Sequence, residues 1–158
     1  MRIEDALREL VTVRPHAFSG GVDRRAIEAA STALGVPFPS GYIQFLARYG
    51  AGHVSFQELI GLGGALHLDV VNVTRDLRER KGSSLFPNNL IAVLGDGGGN
   101  YECIDTAQPT PSDEFRIVRW LHDGGAEQEC EVLADSYPEW LWDTVQFVKT
   151  TDAGNERG

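Results

Sequence analysis

The sequence has few cysteines and lacks any long apolar run. Two cysteines, Cys103 and Cys130, are too few for a disulfide framework, and no C-x-x-C pair suggests a cysteine-based zinc site. We expect both thiols to be reduced, as in a cytoplasmic protein. No apolar run approaches the roughly 20 residues that a membrane-spanning helix needs. The first residues, MRIEDALREL, lack the apolar segment of a secretory signal. The sequence therefore predicts a cytoplasmic protein without a membrane segment.

Basic residues are scarce in one block of the chain, residues 94–135. The whole sequence of 158 residues has a net charge of −9. The block holds ten acidic residues against two bases, Arg116 and Arg119, so it alone carries a charge of −8. Such a block repels phosphate backbones, which argues against nucleic-acid binding, and it attracts a basic protein partner. Plain solubility is the alternative explanation.

The usual signatures of catalysis and metal binding are also lacking. The glycine-rich stretch LGDGGGNYECID, residues 94–105, has Asn100 where a dinucleotide-binding fingerprint needs its third glycine. The stretch has no Gly-Lys-Ser/Thr, and its oxygen ligands do not fit an EF-hand loop that starts at Asp96. The four histidines show no paired ligand spacing, and no G-x-S-x-G is present. We expect no catalytic residue, no metal and no cofactor.

The same glycine-rich stretch is typical of a tight turn. Glycines permit positive φ angles, and Asn100 tolerates them. The apolar segments LIAVL and YECID flank the turn, so the simplest prediction is a β-hairpin. A metal or anion site built from Asp96, Asn100 and Asp105 remains the alternative.

The order of the predicted elements indicates an α+β fold. Helical spacing and capping residues predict helices over 2–11, from Asp23 to Gly35, from Ser40 to Gly50, over 69–80, and from Ser136 to about Lys149. Strands are predicted within 54–62 and at 90–94, 101–105, 115–122 and 131–134, with loops at 12–22 and 107–114. We predict one domain over residues 1–150, a mainly antiparallel sheet packed against N-terminal helices and a C-terminal helix. Residues 151–158 are expected to be a disordered polar tail.

Three motifs in this order resemble the SUKH superfamily, the group around the yeast Smi/Knr cell-wall regulators and many bacterial immunity proteins. The first is LGVPFPSGYIQFLARYGAG, residues 34–52, in which these residues follow the family pattern: Leu34, Gly35, Pro39, Tyr42, Phe45, Leu46 and Gly50. The second is LIAVLGDGGGNYECID, and the third is IVRWLHDG followed by ADSYPEWLWDTV. The resemblance covers roughly residues 20–148. Gly50-Ala51-Gly52 departs from the Asn-Gly that is frequent in the family.

The resemblance implies a single α+β domain that binds a protein partner. In bacteria it implies an antitoxin that neutralises a cognate secreted toxin, often a nuclease or other enzyme. It further implies structural roles for Gly35, Pro39, Gly50, Gly99 and Asn100, with specificity on the variable surface.

A partner-binding surface is predicted within the acidic block. In EQECE, the carboxylates of Glu127, Glu129 and Glu131 share one face if the segment is extended. We add Asp96 and Asp123, which lie in the neighbouring turns. An exposed tryptophan, Trp142 or Trp120, is expected to serve as an aromatic anchor. The alternatives are a solvated glutamate run and a Trp142 that covers a second edge of the core.

Three functional hypotheses follow for a bacterial, cytoplasmic protein. The first is an immunity protein that binds a basic toxin, possibly a nuclease, stoichiometrically and without a cofactor, as a monomer or weak homodimer. It would bind neither nucleic acid nor membrane. The second is a non-catalytic regulatory or scaffold module of the same fold. The third is a small metal-dependent enzyme.

Overall fold

The computed structural model describes residues 1–80 and 84–157, and within them it shows an α+β fold that confirms the predicted class. The helices are α1 (Ile3–Leu10), α2 (Arg24–Leu34), α3 (Ser40–Arg48), α4 (Val70–Glu79) and α5 (Tyr137–Arg157). The strands are β1 (His16–Phe18), β2 (Gly52–Val54), β3 (Gln57–Leu59), β4 (Leu90–Gly95), β5 (Tyr101–Pro109), β6 (Phe115–Trp120) and β7 (Glu131–Ala134).

Local capping signals set the bounds of α2 and α4. The carboxylate of Asp23 accepts a hydrogen bond from Ala26 N–H, and the carboxylate of Asp69 accepts one from Asn72 N–H, both at 2.9 Å. Each bond satisfies a backbone donor that the first helical turn leaves unpaired. Gly35 ends α2 in the left-handed conformation at φ 71°. These observations confirm both predicted ends of α2 and the predicted helix over 69–80.

The strands form two antiparallel sheets. The first has the order β1-β2-β3, and the second has the order β4-β5-β6-β7. Ile60 N–H, directly after β3, donates to Val93 O of β4 at 3.0 Å and so connects the two sheets. Because β7 forms an outer strand of the second sheet, its residues have a partner strand on one side only.

The core lies between the second sheet and the helices. Strand β4 is buried from Leu90 to Leu94, and α5 contributes Leu141, Val145 and Val148, each with 0% exposure. These three residues are the predicted inward-facing stripe of the last helix, and the prediction is confirmed. Helix α1 packs on α5, where Glu9 accepts from Gln146 Nε2 at 3.2 Å and forms an ion pair with Lys149.

The predicted cap of α3 was wrong, because a distant residue takes that role. Pro39 is the N-cap residue and Ser40 already belongs to the helix, with no side-chain cap. Glu114, which is buried, accepts from Gly41 N–H through Oε2 at 2.7 Å and from Tyr137 N–H through Oε1 at 3.0 Å. A single carboxylate thus satisfies donors at the N-termini of both α3 and α5. The negative charge also faces the positive ends of two helix dipoles.

Several element bounds differ from the sequence prediction. The single strand expected within 54–62 is the two strands β2 and β3, and the strand expected over 115–122 ends at Trp120. Strand β1 lies in the expected loop 12–22, because its three residues pair with β2 from His16↔Val54 to Phe18↔Gly52. Strand β5 extends to Pro109 into the expected loop 107–114. Helix α5 continues to Arg157, although an end near Lys149 and a disordered tail were expected. Asp152 in this extension accepts from Ser55 Oγ at 3.2 Å, which holds the added turns against the β2–β3 connection. Gly158 lies outside the described residues.

Candidate functional site

The glycine-rich stretch is a braced hairpin turn between β4 and β5. Asp96 Oδ1 accepts from Gly98 N–H at 2.7 Å and from Asn100 N–H at 3.1 Å, while Asn100 Nδ2 donates to Asp96 Oδ2 at 2.9 Å. The Gly98 N–H bond is the largest of several causes that lower the pKa of Asp96 below its usual value. The hairpin prediction is confirmed, since β4 and β5 pair antiparallel on either side of the turn.

The connection between β6 and β7 packs beside this turn. His122 N–H donates to Asn100 Oδ1 at 3.1 Å. The side chain of Gln128 bonds to the backbone of Leu121 at the start of the same connection. Its Oε1 accepts from Leu121 N–H at 3.0 Å, and its Nε2 donates to Leu121 O at 2.8 Å. Gly125 N–H donates to Ser84 Oγ at 2.8 Å. These bonds place the two connections together at one end of the second sheet.

That end of the sheet gathers the five carboxylates predicted to bind a partner, and we call it the acidic end: Asp96, Asp123, Glu127, Glu129 and Glu131. All five residues are exposed, whereas Gln128 and Cys130 between the glutamates are half-buried. The alternation expected for EQECE is therefore present. Glu131 forms an ion pair with Arg119 at 2.7 Å.

Most of the carboxylates at the acidic end form no ion pair with a residue that the structure describes. Within the described part of the chain, Arg119 is the one base that pairs with an acidic-end carboxylate, and Asp123, Glu127 and Glu129 take part in no ion pair. Carboxylates that are exposed and uncompensated project a negative field into solvent. The arrangement can therefore attract a cationic surface.

Trp120 does not supply the expected exposed anchor, and that prediction was wrong. Its side chain is only 5% exposed and packs edge-to-face on Phe86, with ring centroids 5.1 Å apart. Its indole Nε1–H donates to Leu85 O at 3.1 Å. Leu85 and Phe86, which precede β4, contact the face of β6 on which Trp120 lies, and this tertiary contact has no local sequence signal.

Trp142 lies on a different surface from the acidic end. It is half-buried on α5 and lines a small cavity together with Asp5, Arg8 and Glu9 of α1. The hypothesis that it covers a second edge of the core agrees with its contact with the main hydrophobic cluster. The structure therefore groups the carboxylates but places neither predicted tryptophan among them as an exposed anchor.

An exposed aromatic pair that the sequence interpretation missed lies on α5 and on the β2–β3 connection. Phe147 is 56% exposed and Phe56 is 51% exposed, and their rings meet edge-to-face with centroids 6.1 Å apart. Phe147 could have been found from the helical spacing of Trp140, Thr144 and Phe147. These residues form a second stripe on α5, next to the buried stripe of Leu141, Val145 and Val148. No local pattern indicates that Phe56 meets this stripe.

Phe147 borders a groove of about 270 Å³ between α5 and the second sheet. Its other walls include Glu102 of β5, Arg119 of β6 and Asp143 of α5. Trp140 Nε1–H donates to Glu102 Oε1 at 3.0 Å, which fixes the indole at the groove wall. Arg119 also borders the adjoining cavity beside Asp96 and Asn100, so the groove continues to the acidic end.

A family model described as SMI1-KNR4 cell-wall (SUKH_5) matches residues 3–146 of the chain. The match covers nearly the whole sequence. The chain belongs to the SUKH family. The resemblance inferred from three short motifs is thereby confirmed.

The SUKH motif residues lie at turns and helix ends. Gly50 follows α3 at φ 76°, and Gly99 lies in the β4–β5 turn at φ 102°. A Cβ atom on Gly50 would lie 2.2 Å from Gly20 O, so both its backbone angle and the close approach of a second chain segment require glycine. Pro39 is the extended residue before α3. We interpret these positions, with Gly35 and Asn100, as structural residues of the SUKH domain.

A further cavity lies away from the acidic end. It has a volume of about 660 Å³, and its walls come from α1, α3, β6, the β5–β6 connection and the start of α5. Glu114 borders it, but both carboxylate oxygens are already bonded to helix N-termini. Among the side chains that the structure describes, no group of three or more His, Cys, Asp or Glu could hold a metal ion. None of the helices in these ranges is long and apolar enough to span a bilayer.

Proposed function

We propose that this SUKH protein is an immunity protein, which binds a basic, secreted bacterial toxin and neutralises it through the acidic end. The family match supports a role in protein recognition, as in immunity or SMI1/KNR4-like proteins. The observation that carries the proposal is the group of exposed carboxylates, of which Asp123, Glu127 and Glu129 form no ion pair with any described residue.

The proposed action is stoichiometric binding in the cytoplasm, without a reaction or a cofactor. A toxin that cleaves nucleic acid carries basic residues, because it must hold phosphate groups. Clustered carboxylates present a comparable negative surface, and complementary charge speeds the encounter and favours the correct partner. The bound protein then covers the surface that the toxin needs for its substrate.

One observation favours a second candidate, a non-catalytic regulatory module. The family model carries the description SMI1-KNR4 cell-wall, which names no toxin. In this case the acidic end would bind a regulatory partner or only maintain solubility.

Affinity capture followed by an activity titration tests the proposal. The tagged protein is used as bait at low salt and then at high salt. We expect a basic protein that is retained at low salt and released at high salt, because screening weakens exposed charge pairs. The purified partner should be toxic when expressed alone, and one equivalent of the SUKH protein should abolish its activity. A captured partner whose activity is unchanged at one equivalent would refute neutralisation and favour the regulatory module.

A further inference from the structure

The exposed aromatic pair is unusual because two large apolar side chains meet in solvent. Phe56 comes from the tip of the β2–β3 connection, and Phe147 comes from α5. The bond from Ser55 Oγ to Asp152 Oδ1 holds the tip against the helix. The two rings therefore form a small apolar patch on which an apolar side chain of a partner can pack.

The groove beside this patch has an excess of negative charge. Glu102, Arg119 and Glu131 are paired across three strands in the register Glu102↔Arg119↔Glu131, so they lie on one face of the sheet. Arg119 is bonded to Glu131 at 2.7 Å, and Trp140 donates to Glu102. Asp143 completes the charged wall from the helix side. Glu102 and Asp143 thus line the groove beside a single guanidinium, and that guanidinium is already paired with Glu131.

Asp143 is the carboxylate whose charge is least compensated in this groove. Within the described part of the chain it forms neither an ion pair nor a side-chain hydrogen bond. Partial burial, followed by the nearby charge of Glu139, raises the pKa of Asp143 above its usual value. A cation in the groove would lie beside this unpaired carboxylate and stabilise its charged form.

We propose that the groove receives one arginine or lysine side chain of the partner protein, while a neighbouring apolar side chain of the same segment packs on Phe56 and Phe147. The inference rests on the proposed function, since the occupant is a segment of the basic toxin. The groove volume of about 270 Å³ lies just below the usual ~300–1,000 Å³ of small-molecule sites and is suited to a protein side chain. An arginine can also stack on the Phe147 ring. A central aromatic anchor with a charged contact is the usual composition of a binding hot spot.

The test uses the full chain and a defined probe, the peptide acetyl-Gly-Arg-Leu-Gly-amide. The three tryptophan indole N–H signals of the ¹⁵N-labelled protein report separate places. Trp140 borders the groove, whereas Trp120 is buried against Leu85 and serves as an internal control. We expect a saturable shift of the Trp140 signal and no shift of the Trp120 signal. The matched peptide with glutamate in place of arginine should give no saturable shift.

Two surface variants test which side chains are responsible. Asp143→Asn and Phe147→Ser should each weaken the binding of the arginine peptide at least fivefold. Asp113→Asn removes the same charge outside both the groove and the acidic end, and Leu66→Ser removes an apolar side chain that is 74% exposed elsewhere, so neither should change the affinity. All four residues are exposed, so a well-dispersed spectrum is expected for each variant.

Several outcomes overturn the inference. An unchanged Trp140 signal at millimolar peptide, equal shifts with the glutamate peptide, or unaltered binding by the Asp143 and Phe147 variants would each do so. A Trp140 shift on dilution of the protein alone would show that a second copy of the chain occupies the groove. The titration contains no toxin, so its failure leaves neutralisation through the acidic end untouched. If the peptide binds in the groove but the protein does not inhibit the captured toxin, the proposed function is refuted. The groove would still be a binding site for a basic side chain.

Discussion

The carboxylate of Glu114 accepts a hydrogen bond from Gly41 N–H at 2.7 Å, and the two residues lie 73 positions apart. Its second oxygen accepts from Tyr137 N–H at 3.0 Å. Burial raises the pKa of Glu114, and the two N–H bonds oppose this shift. The residue therefore joins α3 to α5 at their N-termini and fixes the position of the helix that carries Trp140, Asp143 and Phe147.

Replacement of Glu114 should destabilise the fold. In Glu114→Gln the amide NH₂ would face one of the two backbone donors, which leaves a buried N–H unpaired. We expect the free energy of unfolding to fall by about 1–3 kcal/mol, measured by urea titration. Asp113→Asn is the matched control, because it removes the same charge from an exposed neighbour and should have little effect. Equal stability of Glu114→Gln and wild type would contradict the bridging role.

A methyl group at Gly41 should separate the same two helices. A Cβ atom there would lie 2.8 Å from Pro138 Cδ and 3.2 Å from Glu114 Oε2. We expect Gly41→Ala to lower the free energy of unfolding by about 1–3 kcal/mol, as overpacking of a core does. Gly154→Ala is the control, since it has no atom within 4 Å of the added Cβ and lies within α5. The control should be neutral or more stable. If Gly41→Ala left the free energy of unfolding unchanged, the close contact between α3 and α5 would not limit stability.

Much of the fold was predictable because its signals are local. Asp23, Gly35 and Asp69 act on backbone groups within a few residues of themselves, and the glycine-rich turn contains its own bracing residues. Glu114 was missed because its partners are 73 and 23 positions away. Strand β1 was missed because its three residues depend entirely on pairing with β2.

The candidate site was predictable in part for the same reason. The acidic residues are close in sequence, so their clustering at one end of the sheet follows from two neighbouring turns. Trp120 was misassigned because the alternation along β6 shows only that the two faces of this strand differ. It does not show that Phe86 covers the face on which Trp120 lies. The contact of Phe56 with Phe147 joins distant segments and has no local signal.

Acid should weaken the contact between α1 and α5. The hydrogen bond from Lys149 lowers the pKa of Glu9 below its usual value, and the hydrogen bond from Gln146 adds a smaller lowering. A lowered pKa in the folded state stabilises the protein above the unfolded pKa of about 4.3, and this stabilisation is lost as the pH falls through the folded pKa. We expect Glu9→Gln to be less stable than wild type at neutral pH, by less than about 1 kcal/mol.

The difference between Glu9→Gln and wild type should shrink as the pH falls below 4, in urea titrations at a series of pH values. In a Lys149→Met background, the same substitution should have a much smaller effect, because the main partner is absent. A difference that grows toward acid pH would be inconsistent with this assignment of the pKa shift.

Asp96 should prove to be a turn residue as well as a surface charge. Its carboxylate accepts two backbone N–H bonds and one from the Asn100 side chain. We expect Asp96→Ala to lower the free energy of unfolding by about 1 kcal/mol. Asp96→Asn keeps an acceptor for the backbone donors, so its free energy of unfolding should fall by less than that of Asp96→Ala. If both variants were as stable as wild type, the bracing of the turn would not contribute to folding.

The most direct measurement of the central claim is the affinity of charge-reversed variants for the toxin that wild type captures. Glu127→Lys/Glu129→Lys reverses two carboxylates at the acidic end. Glu28→Lys/Glu79→Lys makes the same change of net charge on exposed residues of α2 and α4. Isothermal titration at two salt concentrations gives the Kd of each. We predict that the acidic-end variant binds at least about tenfold more weakly, a loss of ~1.4 kcal/mol, with a smaller salt dependence, while the control stays near wild type. Equal weakening of both variants, or of neither, would contradict neutralisation through the acidic end.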